Sequence, residues 1–201
     1  DGRWLVLTRS TFYEEEIYLQ DLRKKTPMVP VVTGFGSEYI AQVAGDQLVI
    51  LTNWQAPKRR VMVASLQHPE REHWKELVPE GDDLIESISA VAGHLYVQTL
   101  HDAARRIVAY GLDGKKVRDV TLPGLGTADV GGYWSKKEVR LGYSSFAAPE
   151  VSYRYDLKHD KLTEIWRSPI DFDASNMTTE QVWITSKDGQ KVPMFLIHAK
   201  D

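Results

Sequence analysis

An all-β chain is what the sequence predicts: a partial β-propeller of about three to four four-stranded blades, followed by a β-hairpin. Two observations predict it. Short β-rich runs recur at Leu5-Val6-Leu7, Leu48-Val49-Ile50-Leu51, Leu95-Tyr96-Val97 and Val139-Arg140-Leu141, at a spacing of roughly 45 residues, the length of one blade. Each run follows a polar turn, in order Asp1-Gly2, Gly45-Asp46, Gly93-His94 and Lys136-Lys137. No stretch of helix length keeps its apolar residues on one helical face. A two-sheet sandwich also spaces short strands regularly and is the alternative.

The elements follow in order. Arg3–Leu22 supplies the later strands of a first blade. The clearest unit has strands at Glu38–Ala44, Gln47–Thr52, Arg60–Leu66 and Trp74–Val78, with Gly, Asn, Asp and Pro between them where turns need a positive or fixed φ. The next unit reads Glu86–Ala92, His94–Leu100, Arg105–Gly111 and Lys116–Leu122, with Asp113-Gly114 as a hairpin turn. A third runs through Thr127–Tyr133, Glu138–Ser144, Glu150–Asp156 and Leu162–Ser168.

The first strand of each unit carries small or modest side chains, such as Ser87-Ile88-Ser89-Ala90 and Thr127-Ala128-Asp129-Val130-Gly131-Gly132. Such residues fit strands that converge on an axis. The second strand is the most apolar, as burial on both faces requires. Complete propellers close with about four to eight blades, so these units describe an open arc. Exposed apolar surface, self-association or ring completion by another copy is the expected consequence.

Composition narrows the function. The 201 residues are 42% hydrophobic and 26% charged, ordinary for a folded domain. A net charge of −3 argues against a nucleic-acid partner, and Lys58-Arg59-Arg60 and Arg105-Arg106 read as solvated strand starts. The chain has no cysteine, so neither a disulfide framework nor a thiolate metal site is available. No apolar run is long enough to cross a bilayer, which implies no membrane partner. The chain opens on a turn and a strand rather than a signal peptide, so it reads as the interior of a longer soluble protein, cytoplasmic or periplasmic.

Catalytic motifs are sparse. Gly142-Tyr143-Ser144-Ser145-Phe146 is the nearest approach to a Gly-x-Ser-x-Gly elbow, but Phe146 stands where the second Gly must be and the setting is a strand. His68, His73, His94, His101, His159 and His198 show no metal-ligand spacing and read as surface or turn residues, His94 and His101 at opposite ends of one strand with opposite exposure. Gly124-Leu125-Gly126-Thr127-Ala128-Asp129 lacks the last Gly and the helix of a phosphate cradle. Glu14-Glu15-Glu16 and Asp82-Asp83 read as loop charge. The tryptophans read as blade packing. Trp54 is the one candidate for substrate access or binding, because nothing in the repeat demands a large aromatic in Asn53-Trp54-Gln55-Ala56-Pro57. Packing against a neighbouring loop is its other reading. No metal site and no cofactor are expected.

Three stretches together resemble a known family. Thr52-Asn53-Trp54-Gln55-Ala56-Pro57, continued by His68-Pro69-Glu70 and Trp74-Lys75-Glu76-Leu77-Val78-Pro79-Glu80, is similar to a run found in prolyl oligopeptidases. Tyr143-Ser144-Ser145-Phe146-Ala147-Ala148-Pro149 with Tyr153-Arg154-Tyr155-Asp156-Leu157 resembles the strand pair of that family's last blade. Ser186-Lys187-Asp188-Gly189-Gln190-Lys191-Val192-Pro193-Met194-Phe195-Leu196-Ile197-His198 is similar to the hairpin by which the family's chain leaves the propeller and enters an α/β-hydrolase domain.

The resemblance implies a two-domain serine peptidase in which a seven-bladed propeller caps a hydrolase with a Ser-Asp-His triad, restricting entry to short proline-containing peptides cut after proline. It divides the chain into propeller blades at 1–174 and, at 175–201, a linker and the first hairpin of the hydrolase domain. The rest of that domain is then the partner in cis. No triad position has a counterpart here, so every catalytic residue is expected beyond Asp201 and these residues alone are expected to be inactive. Two alternatives stay open: a related oligopeptidase that cuts after basic residues, and a non-catalytic propeller that binds a peptide or protein.

Overall fold

The computed structural model describes residues 2–170, 173, 174 and 176–200. Asp1, of the expected opening turn, and residues 171, 172, 175 and 201 lie outside them, and with them part of the expected linker. The described chain is all β apart from a short 3₁₀ turn at Arg71–His73.

Four antiparallel sheets follow one another along the chain. The first contains β1 (Trp4–Ser10), β2 (Glu15–Asp21) and β3 (Val29–Val32). The second contains β4 (Tyr39–Ala44), β5 (Gln47–Thr52), β6 (Arg60–Ser65) and β7 (Lys75–Val78). The third has β8 (Leu84–Val91), β9 (His94–His101), β10 (Ala104–Tyr110) and β11 (Lys116–Asp119). The fourth has β12 (Thr127–Gly132), β13 (Val139–Ser145), β14 (Ala148–Asp156) and β15 (Lys161–Arg167). Each sheet is a meander with its strands in chain order, and the sheets do not close into a ring. A separate hairpin, β16 (Met177–Thr185) and β17 (Lys191–Ala199), comes last.

The first strands converge as their small residues require. β4 lies beside β8, and β8 beside β12. Gln42 of β4 ties two of them together: its amide donates to the Ile88 carbonyl at 3.0 Å and accepts from the Ala90 amide at 2.9 Å. At Gly132 a Cβ would sit 2.6 Å from Val91 Cγ1 and 2.9 Å from the Glu138 carbonyl, so the approach of β12 to β8 excludes any side chain there. β2 touches β4 as β10 touches β12, which makes β1–β3 the second to fourth strands of their blade. Two of these were expected. The third, β3, carries Pro30 in its centre, and proline is confined to edge strands, where it breaks the usual strand signal.

Alternation along the second strands builds the core. Leu48 and Ile50 of β5 face the first sheet, where they meet Ile17, Leu19 and Val32. Val49 and Leu51 face the third sheet, where they meet Ile88, Leu95 and Val97. Tyr96 of β9 turns the other way, toward Val130, Leu141 and Tyr155 of the fourth sheet. A strand covered on both faces reads as a continuous apolar run, which is what β5 shows.

The hairpin turns at Ser186–Gln190, with Gly189 at φ +85. It meets the blades at the end carrying their second-to-third-strand turns. The Phe195 ring lies 6.0 Å from that of Phe146, between β13 and β14. The Gln181 amide donates to the carbonyl of Asp102, between β9 and β10.

Candidate functional site

Trp54 stands in the turn between β5 and β6, at this same end of the blades. Local bonds fix the turn: the Trp54 amide donates to Thr52 Oγ1 at 2.9 Å, the Ala56 amide to the Asn53 carbonyl at 3.0 Å, and the Glu38 amide to Asn53 Oδ1 at 2.8 Å. Gln55 and Arg59 take positive φ to complete it. The Trp54 ring is half-buried and well supplied with neighbours. The guanidinium carbons of Arg71 and Arg60 lie 4.7 and 5.2 Å from its centre, and Trp74 meets it edge-on at 6.2 Å. Arg71 also donates to the Tyr39 hydroxyl at 2.7 Å. Guanidinium groups over an indole are attracted by its negative face, so Trp54 sits in a cation–aromatic stack at the seam between the first and second sheets. Arg71 reaches it from the 3₁₀ turn, a partner that no spacing around Trp54 announces.

The basic clusters do more than solvate strand starts. Arg59 pairs with Glu38, and its Nη1 donates to the carbonyls of Ile85 and Glu86 at 3.2 and 3.1 Å, joining the second sheet to the third. Arg105 lies 3.0 Å from Glu86 and donates to Gln98 Oε1 at 3.0 Å. The repeat therefore places a Glu at the start of the first strand and an Arg at the start of the third in two successive blades. Arg59 reaches across to the next sheet, whereas the Arg105 Nε is buried without a partner. Where that second crossing would fall, a cavity of about 490 Å³ opens between the third sheet, the fourth sheet and the hairpin, lined by Glu86, Arg105, Thr127, Ser145, Phe146 and Phe195. An Arg105–Glu86 ion pair, the hydroxyl residues Thr127, Ser144 and Ser145 and two aromatic rings suit a polar chain carrying an apolar side group.

Ser144 lies within β13, paired opposite Thr127, without the strand-to-helix turn that exposes a nucleophile. The ring nitrogens of His73, His94, His101, His159 and His198 contact carbonyls or carboxylates, while the His68 ring lies 5.3 Å from that of His73. His101 bridges Asp83 at 2.7 Å and Asp102 at 3.1 Å, His73 faces Glu70 at 3.3 Å, and His159 faces Asp156 at 2.7 Å. His94 and His101 are both half-buried, contrary to the expected contrast, because each packs into the turn beside it. Two carboxylates on His101 come from residues distant and adjacent in sequence, a grouping the ligand-spacing rules do not capture. No group of three or more His, Asp and Glu side chains among the described residues is placed to hold a metal ion.

The model of the prolyl oligopeptidase N-terminal β-propeller domain matches residues 1–168. A prolyl endopeptidase of Elizabethkingia meningoseptica is 31% identical over all of this chain, which covers 29% of that protein. The prolyl endopeptidase of Dictyostelium discoideum is 28% identical over 81% of the chain and 23% of its own length. Among solved structures, a prolyl endopeptidase superposes over the whole chain with a TM-score of 0.86 at 32% identity, covering 30% of that chain. Oligopeptidase B from Leishmania major shares the fold, with a TM-score of 0.84 at 24% identity. The chain thus spans under a third of the length of the relatives it matches.

Proposed function

Because the chain belongs to the prolyl oligopeptidase family, in the part that forms its N-terminal β-propeller, we propose that it is the access-controlling region of a serine peptidase that hydrolyses short peptides after proline. In this reading residues 1–174 are blades, and residues 175–201 carry the chain into an α/β-hydrolase domain that supplies the Ser-Asp-His triad and the oxyanion hole. The residues here contribute shape rather than chemistry. They wall the approach to the catalytic domain, and a peptide passes while a folded protein is too wide.

The observation that supports this reading most is the seating of the hairpin. Phe195 against Phe146, and Gln181 on the Asp102 carbonyl, bring the 186–198 motif to one end of the blades. The cavity walled by Arg105, Thr127 and Ser145 opens beside Phe195, and Trp54 stands at the same end, at the seam between the first and second sheets. Trp54 then acts as a wall residue of the approach, with its indole held by Arg60 and Arg71.

The experiment compares the full-length protein with the 201-residue chain on a chromogenic Gly-Pro peptide, on its Gly-Arg counterpart and on a folded protein. The full-length protein is expected to turn over the Gly-Pro peptide and spare the folded protein, and the chain alone to show no turnover. Preference for the Gly-Arg peptide replaces proline with basic specificity. Silence toward both peptides overturns the peptidase reading in favour of a binding propeller.

A further inference from the structure

The β9–β10 turn receives the Gln181 amide of the hairpin on the carbonyl of Asp102. Only Asp102 and Ala103 separate the two strands, and both take positive φ, +50 and +61. Two-residue turns of this kind suit Asn and Gly. Ala103 has a Cβ and no polar side chain to offset the cost of a left-handed backbone. Leu100 and Ala103 line the cavity that Phe195 also lines. The turn therefore borders the hairpin twice, through Gln181 and through the cavity shared with Phe195.

His101, the last residue of β9, ties this turn down. Its Nδ1 lies 2.7 Å from Asp83 Oδ1, in the segment before β8, and its Nε2 lies 3.1 Å from Asp102 Oδ2. Both partners are carboxylates, which in ionised form accept and cannot donate. A neutral imidazole has one N–H and one lone pair and serves only one of them, whereas the imidazolium has two N–H groups and serves both. With the remaining N–H on the shorter contact to Asp83, loss of the other proton sets the Nε2 lone pair against Asp102 Oδ2. An attraction then becomes a repulsion.

The other charges nearby leave Asp102 dependent on His101. Arg106 Nη1 lies 3.9 Å from Asp83 Oδ2, so Asp83 keeps a cation beside it whatever the state of the ring. Asp102 forms no second ion pair among the described residues. Arg105 is turned to Glu86 and Gln98, and Lys58 donates to the Asp82 carbonyl. On the hairpin, Glu180 and His198 face each other at 3.7 Å. Histidine changes charge between about pH 5 and 8, a range in which aspartate is ordinarily ionised.

We propose that His101 is a pH-sensitive latch on the seat of the hairpin. The imidazolium holds Asp83 and Asp102 together and fixes the turn that receives Gln181. The neutral ring releases Asp102 and lets that turn, and residues 177–199 with it, loosen. The sign follows from the charges: the bridge favours the protonated ring, so its contribution is complete at the acid end and is lost as pH rises. All three side chains are partly exposed, which keeps the effect modest. The latch concerns how the hairpin sits on the blades and does not rest on the peptidase reading.

The test is hydrogen exchange of the full-length protein, read by mass spectrometry at about pH 5.5 and about pH 8, either side of the histidine range, and corrected for the intrinsic pH dependence of exchange. Protection of the β16 amides and of the Asp102–Ala103 turn should fall about two- to fivefold from the lower pH to the higher, the effect of one partly exposed ion pair. His101→Gln should show the loosened level at both pH values. Asp102→Asn should also lose the response, because an amide can donate to a bare Nε2. His198→Gln removes the histidine–carboxylate contact within the hairpin and should keep the parental response. Protection that stays flat or rises with pH in the parent overturns the proposal. So does a response that survives His101→Gln or Asp102→Asn, or one that disappears with His198→Gln.

Discussion

β9 and β17 carry similar apolar runs, Leu95-Tyr96-Val97 and Met194-Phe195-Leu196-Ile197, and meet opposite surroundings. The β9 residues are at most 2% exposed, whereas Met194, Leu196 and Ile197 are 36–39% exposed. β9 lies between two sheets and hands alternate side chains to each. β17 pairs only with β16, and its ring contact to the blades is Phe195 with Phe146. A continuous apolar run therefore records how many faces a strand is built to cover, and not whether they are covered here. The hairpin carries apolar side chains on both faces, and an isolated two-stranded ribbon is marginal in water.

Truncating one side chain in each region is the strongest way to break this contrast. Leu95→Ala should cost about 3 kcal/mol, from lost burial and the cavity left behind. Ile184→Ala, on β16, should cost less than about 0.5 kcal/mol in the 201-residue chain. Denaturant midpoints of the two variants check this, and equal losses would show that the hairpin is packed after all. In a longer chain that covers the hairpin, the Ile184 effect should rise toward that of Leu95.

Glycines give a smaller and more local contrast. A Cβ at Gly126 would lie 2.3 Å from the Ser144 carbonyl oxygen, a backbone atom that cannot swing aside, whereas Gly189 has nothing within 4 Å. Gly126→Ala should therefore cost about 2 kcal/mol through overpacking. Gly189→Ala meets only the strain of φ +85 in the hairpin turn and should cost about 1 kcal/mol. Thermal melts of both variants rank them, and a reversed order would mean that β12 can shift to admit the methyl.

Alkali should separate the regions more weakly. Burial raises Tyr96 from 10.0 to about 12, and Tyr155 is raised by burial and by its bond to Asp160. The fold favours the neutral phenols, so their contribution is complete below pH 10 and is lost as pH rises from there through the folded values. Stability of the third and fourth sheets should fall between about pH 10 and 12, and Tyr96→Phe should flatten part of that fall. Residues 176–200 contain no tyrosine, so hairpin signals should hold over the same range.

Much of the fold was legible because second strands carry apolar runs and the turns before them are polar, as at Gly45-Asp46 and Lys136-Lys137. The expected Gln47–Thr52 is β5 to the residue. Edge elements were harder. Pro30 hid β3, and β11 stops at Asp119 rather than Leu122, since outer strands lack the two-sided burial that writes the pattern. At the candidate site Trp54 was legible as an aromatic out of place. Its arginine partners were not, because Arg71 comes from the turn before β7.

The alternation of Leu48 and Ile50 against Val49 and Leu51 means that no blade owns a core. Each core is held jointly by two adjoining sheets, so a blade cut out alone would present two oily faces and no interior. The smallest unit able to bury anything is a pair. The chain is in that sense a linear stack of shared boundaries, and damage at one boundary should spread to its immediate neighbours and fade beyond them. Shortening or lengthening such a protein is consequently a matter of splicing at boundaries, where one strand's two faces must be matched to two different neighbours.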